Sequence, residues 1–485
     1  MAATSEAIPF LPPRLVSVGG RLIIIALALA ALPIAYQQPL WLFPAVAALA
    51  TAVAMTIDRT LVIPIVLLAV PLEVSKDYLP SVFDDPTTPT VQESIFDAGR
   101  LAMLAAAALW VVRARSEWHR DVPQSALYFP LALLAAVFAL SGLSGDDPSG
   151  ALRDISRLIS GIGIFAIVIL YVRDRNCLDR ALLALVASGL VLALVGLFQQ
   201  ATDTYFFNES LARLDIPRRN ATFFDPNLYA RFLVVVVAVC LGVAGSARSQ
   251  PWRRYLAPAA AALALLALPF TSSRSNWATA AVVLPLVIAM LPMGTWRKIK
   301  LLALVAAAGA VLAYAASIAD PSLVDRFQSI VSGKESLGSR SYLIKAGWQM
   351  FKDHPLFGVG LNGYRESLQG PYSDLLPRLA TKFLSHSTLI TFMAELGIIG
   401  LSVLAFLSYR FVRLCWRLYV EAGRADRALV AGLTGAALAI FISSQSEARL
   451  IEDPYLWIVL GLVVALSAIR RQEQVEAQAE LPSGQ

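Results

Sequence analysis

Apolar runs close to the length that crosses a bilayer follow one another down almost the whole chain, parted by short polar stretches. They lie at 21–36, 40–57, 60–74, 97–112, 127–143, 157–172, 181–200, 228–245, 255–271, 276–293, 300–318, 386–409, 429–445 and 455–470. The pattern predicts an all-α, polytopic integral membrane protein of about fourteen transmembrane helices. About twelve is the lower count, because the first three runs are short or adjoin and suit re-entrant or tilted segments. Residues 22–35 also fit a signal-peptide core, since Arg14 and Arg21 precede a short apolar run ending in small residues; with apolar runs continuing beyond, an uncleaved first span is expected.

The organisation that follows is a cytoplasmic segment at 1–20, eleven spans over 21–318, a polar insertion at 319–385, three spans over 386–470 and a disordered tail at 471–485. The insertion is too short and irregular for an independent catalytic domain. Within it, Tyr342 to Lys352 sets Ile344, Trp348 and Phe351 at helical spacing, with Lys345, Lys352 and Asp353 elsewhere. That is the pattern of an interfacial helix serving as a lid or brace.

Composition strengthens this reading. With 57% hydrophobic and 15% charged residues in 485, the chain is no ordinary soluble enzyme. The net charge of +6 does not point to nucleic acid, because the basic residues sit in short clusters between apolar runs. Arg113/Arg115/Arg120, Arg173/Arg175/Arg180, Arg248/Arg253/Arg254, Arg297/Lys298/Lys300 and Arg410/Arg413/Arg417/Arg424/Arg427 fall in alternate loops. The positive-inside rule assigns these loops and both termini to the cytoplasm, and the acidic loops 76–93 and 145–154 to the outside. Cys177, Cys240 and Cys415 are far apart, two of them in cytoplasmic loops, so no disulfide framework is expected.

On this topology Arg219, Arg274 and His386 all face outward. His386 heads an apolar run after the longest polar stretch, and an imidazole is the side chain best suited to take up a proton near neutral pH. Arg218 and Arg219 open the stretch to Asp225-Pro226-Asn227. A snorkelling pair is the plain account of the arginines, and helix capping the plain account of Asp225 and Asn227. Arg274, in Thr271-Ser272-Ser273-Arg274-Ser275-Asn276, sits in a tight polar turn; it is either a headgroup anchor or a bidentate phosphate grip flanked by hydroxyl donors. Arg231 lies inside a span and should face the interior and pair, with Asp225 or Glu395. Glu395 is nine residues beyond His386, roughly 13 Å along one helix, and reads as an intramembrane ion-pair partner rather than a base.

Other motifs carry less. Gly358-Val359-Gly360-Leu361-Asn362-Gly363 matches GxGxxG, but no strand precedes it and it lies outside, so its glycines are expected to shape a turn after Asp353-His354-Pro355. His119 falls on the opposite side from His354 and His386, and the pairs Asp84/Asp85 and Asp146/Asp147 lack metal-site spacing. No P-loop is present, and the sequons at Asn208 and Asn220 are weak by chance alone.

These residues, taken in order, resemble the O-antigen ligase and polymerase superfamily of bacterial surface-glycan enzymes. The resemblance covers roughly Arg219 to Gly400. It rests on Arg219 leading into Thr222-Phe223 and Asp225-Pro226-Asn227, on Ser273-Arg274, on Gly338-Ser339-Arg340, on His354-Pro355-Leu356-Phe357-Gly358-Val359-Gly360, and on His386 followed by Glu395-Leu396-Gly397. It implies a GT-C-like inner-membrane enzyme that moves a glycan from undecaprenyl diphosphate to an acceptor hydroxyl on the periplasmic face, with no metal or other cofactor. The acceptor is a glycan, lipid or protein hydroxyl, as in a polymerase, a ligase or a protein O-oligosaccharyltransferase. Carried over, Arg219 and Arg274 hold the diphosphate, Arg218 and Arg340 add phosphate or structural contacts, and His386 activates the acceptor hydroxyl, with Arg231, Glu395, Asp225 and Asn227 in support. Ser387 stands where the family often has Asn, and about fourteen spans exceeds the family's usual twelve. The alternative class is a transporter or flippase for a lipid-linked sugar, which should carry its charges near the midplane on broken helices.

Overall fold

The segment that becomes the centre of the molecule is apolar on every side, as only a helix enclosed by other helices can be. Every residue from 229 to 240 is buried, Arg231 included. The computed structural model describes residue 67 and residues 122–145, 147–204, 218–223, 225–246, 250–319, 337–375 and 385–479. Among them are twelve α-helices and no strand. They are α1 (Tyr128–Ser144), α2 (Pro148–Tyr171), α3 (Arg175–Thr202), α4 (Pro226–Gly245), α5 (Pro251–Ala267), α6 (Arg274–Met290), α7 (Thr295–Ala319), α8 (Leu337–Asp353), α9 (Gly363–Gln369), α10 (Thr388–Glu421), α11 (Arg424–Ser443) and α12 (Pro454–Ala479).

Seven of these helices are long and apolar enough to cross a membrane, and α1 and α6 are shorter apolar ones. The protein is a polytopic membrane protein, all-helical among the described residues. The predicted runs at 21–36, 40–57 and 97–112 and the loop at 76–93 lie outside the described residues, as does 60–74 apart from the helical, buried Leu67.

Helix α4 packs most extensively against α11, and α3, α5 and α6 also contact it. The α4–α11 crossing is close because Gly242 and Gly432 face each other: a Cβ on Gly432 would stand 2.8 Å from the Gly242 Cα and from the Ala238 carbonyl oxygen. A second pairing joins α2 to α12, where Gly161 lies under the Trp457 indole and Gly461 under Val168.

Several boundaries depart from the sequence reading, three of them the furthest. Helix α2 begins at Pro148 rather than 157, so the expected outer loop at 145–154 is mostly helix; Asp147 caps it by accepting the Gly150 amide at 2.9 Å, and proline opens its first turn. Helix α12 runs to Ala479, through residues expected to be disordered. Its polar end is rich in good helix formers, Gln472 donates to Glu476 one turn on, and Glu473 pairs with Arg175 of α3. Helix α10 extends to Glu421 and is not one helix but two.

The break in α10 is at Gly397 (φ 62°, ψ −158°), a conformation essentially reserved for glycine. It separates a short segment, 388–396, from 398–421, which at about 1.5 Å per residue is long enough to cross the hydrocarbon core by itself. The loop after α8 occupies the gap. Ile398 N donates to Pro355 O (2.9 Å), while Val359 N and Gly360 N donate to Ala394 O and Glu395 O (2.8 and 3.1 Å). A Cβ at Gly397 would run into the Leu356 carbonyl. Gly397→Ala is therefore expected to lower the thermal melting temperature by several degrees, from about 1–3 kcal/mol of backbone strain plus the clash. Gly309→Ala, where a Cβ meets nothing within 4 Å, is expected to leave it unchanged.

Helix α8 begins at Leu337, earlier than predicted, and has two apolar faces. Leu343, Ala346 and Met350 are buried against Tyr364, Leu368 and Ala394, whereas Tyr342, Ile344 and Trp348 face outward. Trp348 and Phe351 pack ring to ring at 5.6 Å. The stripe singled out from sequence is thus the outer one, and the inner stripe docks the insertion on α10.

Candidate functional site

The approach to α4 is held from two sides. Asp225 caps the helix, its carboxylate accepting the Asn227 amide at 2.8 Å, with Pro226 in the first turn. Upstream, Gln199 at the end of α3 exchanges two hydrogen bonds with the Ala221 backbone (2.8 and 3.1 Å). Arg219 is buried. Its amide donates to Phe270 O (2.9 Å), and its guanidinium donates to Gln200 Oε1 (2.8 Å) and Asp203 Oδ1 (2.7 Å).

Arg218 takes the opposite direction, donating to Thr271 O (3.1 Å) and to Asn227 Oδ1 (2.6 Å). Asn227 therefore binds an arginine instead of capping its helix. Burial pulls the Arg218 guanidinium below the usual arginine range, and the nearby Arg274 cation pushes the same way, against the opposing pull of Asp225 and Glu447. Arg274 is the first residue of α6, placed there by a tight turn in which Ser272 adopts a left-handed conformation (φ 52°).

One turn into α4, Arg231 is enclosed (1% exposed) and fully engaged. It donates to Ser443 Oγ (2.9 Å) and Arg449 O (2.7 Å), and pairs with Asp453 Oδ2 (2.9 Å) and Glu447 Oε2 (2.6 Å). Neither expected partner, Asp225 or Glu395, makes this contact, because the 444–453 loop between α11 and α12 reaches the guanidinium first. Burial raises the Glu447 carboxyl above its ordinary range, with Arg231 acting against the shift. Asn276, one turn into α6, donates to Asn227 O (3.1 Å) and Ser273 Oγ (3.0 Å) and stands 3.5 Å from Glu447 Oε1.

The same loop holds the His386 turn. Thr388 donates through N and Oγ1 to Ser444 O (3.2 and 3.1 Å), and Ser387 Oγ and Leu389 N donate to Gln445 Oε1 (3.2 Å each). Buried Ser385 adds a hydroxyl pair with Thr391 at 2.6 Å. His386 sits at φ 56° and Ala448, in the facing loop, at φ 54°. Such conformations are uncommon for residues with a Cβ and persist where surrounding contacts fix them. Ser443 to Glu447 thus fasten the His386 turn on one side and Arg231 on the other, so His386, Arg231, Asn227, Arg218 and Arg274 gather at one end of the bundle.

Glu395 is elsewhere. It is buried on the short segment of α10 and accepts the Tyr364 amide at 3.3 Å, making no ion pair among the described residues. Its expected role as an ion-pair partner gives way to closing the 359–364 loop onto α10. Arg340 lies in the first turn of α8; its side chain is outside the described residues. The sequence reading missed Ser443, Gln445, Glu447, Asp453 and Asn276. The signal available was the polar run from Ser443 to Asp453 between the last two apolar runs, in a loop the topology puts on the same side as Arg218.

Residues 259–405 match the family model for O-antigen ligase. This segment is that of the O-antigen ligase and polymerase superfamily. It takes in Arg274, Asn276, the described residues 337–375 of the insertion and His386, and ends midway along α10, before the 444–453 loop. Arg218, Arg219 and Arg231 precede it. The chain is accordingly a multi-pass membrane protein that carries a segment similar to O-antigen ligase. No match is found among curated proteins.

Proposed function

We propose that the protein is a glycosyltransferase that moves a glycan from undecaprenyl diphosphate to an acceptor hydroxyl at the outer face of the bacterial inner membrane. The observation that carries this reading is the gathering of Arg218, Asn227 and Asn276 at the mouth of α4 and α6, beside Arg274 at the start of α6, and their link through Glu447 of the 444–453 loop to the His386 turn. Guanidinium groups attract an anion, here in competition with the nearby Asp225 and Glu447 carboxylates. The diphosphate of the donor supplies one.

In the proposed reaction the acceptor oxygen bonds to the anomeric carbon as the bond from that carbon to the diphosphate oxygen breaks, and the hydroxyl proton passes to His386. Direct displacement inverts the anomeric centre. Negative charge builds on the departing diphosphate, where Arg218 and Arg274 stabilise it as a divalent cation does in other transferases. Arg219, anchored to Gln200 and Asp203, acts as a positioning residue that fixes the direction of Arg218.

The break in α10 is the observation that favours transport, since transporters bind substrates at broken helices. Here the 355–360 loop takes the backbone groups at the break, so they do not form an open binding site. The test is transfer by the purified protein with undecaprenyl diphosphate-linked oligosaccharide and a panel of lipid, glycan and protein acceptors. Product formation with release of undecaprenyl diphosphate is expected, and is expected to persist in EDTA. Donor binding without product from any acceptor would move the reading to transport.

A further inference from the structure

At the end of the bundle away from His386, a cavity of about 450 Å³ opens between the lower half of α10, the last turns of α12 and the residues ahead of α1. Arg410, Arg413 and Arg417 follow at spacings of three and four and so share one face of α10, while Arg470 and Arg471 enter from α12; Glu421 is the sole carboxylate in the lining. The other acidic groups close by are already engaged. Asp426 accepts both terminal nitrogens of Arg175 (2.6 and 2.9 Å), and Glu473 accepts two further donors from the same guanidinium (2.7 and 2.6 Å). Arg470 is spent on the Leu418 and Glu421 carbonyls (3.3 and 2.7 Å) and on Asp426 (3.5 Å).

The remaining four have other contacts. Arg410 lies over the Phe406 ring, Arg413 donates to Tyr409 Oη (3.3 Å), and Arg471 donates to Gln124 O (3.5 Å). None of Arg410, Arg413, Arg417 and Arg471 makes an ion pair among the described residues. Topology alone asks for positive charge somewhere on the cytoplasmic side; it does not ask that two distant helices aim it into one cavity.

Beside the arginine stripe runs a second one. Tyr409, Val412, Trp416 and Val420 are 51–67% exposed and occupy the adjoining face of α10. A cationic cavity flanked by an outward apolar stripe is complementary to an amphiphile, with phosphate in the cavity and acyl chains along the stripe. We infer that this cavity binds the phosphodiester headgroup of an anionic glycerophospholipid of the cytoplasmic leaflet. The site is separate from the outer cluster, so its occupancy does not depend on the proposed transfer activity.

The experiment is native mass spectrometry of the full-length protein after incubation with cardiolipin, with phosphatidylcholine, or with cardiolipin plus inorganic diphosphate. Wild type is expected to retain cardiolipin over phosphatidylcholine, undisturbed by an equal concentration of diphosphate. Arg413→Gln/Arg417→Gln is expected to retain it roughly tenfold less or worse, from two lost charges at a lipid surface. Arg254→Gln, an exposed cation at the start of α5, is expected to behave as wild type. Arg413 and Arg417 are exposed, so an unchanged size-exclusion profile and melting temperature will show that the double variant folds. Equal retention by the double variant, no preference over phosphatidylcholine, or displacement by diphosphate would each overturn the proposal.

Discussion

Arg231→Met is expected to all but abolish the folded protein, seen as loss of the monodisperse size-exclusion peak and, for any material recovered, a melting temperature far below wild type. The guanidinium is 1% exposed and holds two carboxylates, Glu447 and Asp453, that are themselves 8% and 4% exposed. Removing one partner of such a group leaves the other charges buried without compensation, at a cost of about 3–5 kcal/mol. Here two carboxylates are stranded, and the Ser443 hydroxyl and Arg449 carbonyl lose their donor as well. Glu447→Gln should be milder, because Asp453 still neutralises Arg231 and an amide oxygen can accept in place of the carboxylate. The contrast between these variants separates loss of the cation from loss of one hydrogen bond.

The second large effect is on turnover. Arg218→Ala and Arg274→Ala are each expected to lower transfer by about 10²–10³-fold while leaving the melting temperature near wild type, the range found when one preorganised donor to developing negative charge is removed. His386→Ala is expected to cost about 10²–10⁴-fold, as for loss of a general base. Arg219→Gln should differ in kind. With its amide and guanidinium bound to Phe270, Gln200 and Asp203, its loss should loosen the 218–225 segment, lower the melting temperature and raise KM for the donor more than it lowers kcat. Steady-state transfer by protein reconstituted in vesicles, with melting measured on the same preparations, distinguishes the two patterns. A fall in kcat at Arg219 equal to that at Arg218, with unchanged stability, would return Arg219 to direct contact with the diphosphate.

Much of this arrangement could be read from hydropathy. Runs such as 228–245 and 181–200 became α4 and α3 with modest shifts at their ends, because capping residues such as Asp225 and Asp174 bring the adjoining polar residues into the first turn. Charged helix was harder to see. The polar start of α2 and the end of α12 carry no apolar signal, and their helicity rests on a cap and on pairs such as Arg175–Glu473 that join residues far apart in sequence. The same reason hid the partners of Arg231. Within a span, sequence marks a lone arginine as needing a partner, but not which loop folds back to meet it. Nor could it separate Arg218 from Arg219, two adjacent arginines whose side chains leave in different directions once Phe270 and Thr271 hold the backbone and the neighbouring guanidinium.

The joint at Gly397 bears on how the protein meets bilayers of different thickness. A helix longer or shorter than the hydrocarbon it crosses adjusts by tilting, and a rigid 34-residue α10 would swing its N-terminal end with every change of tilt. Because the chain breaks at Gly397 and the 388–396 segment is tied to Ser444 and Gln445, the His386 turn takes its position from the loop after α11 rather than from the axis of the 398–421 rod. Transfer rates should then stay nearly level as the acyl chains of the host lipid are lengthened or shortened by a few carbons.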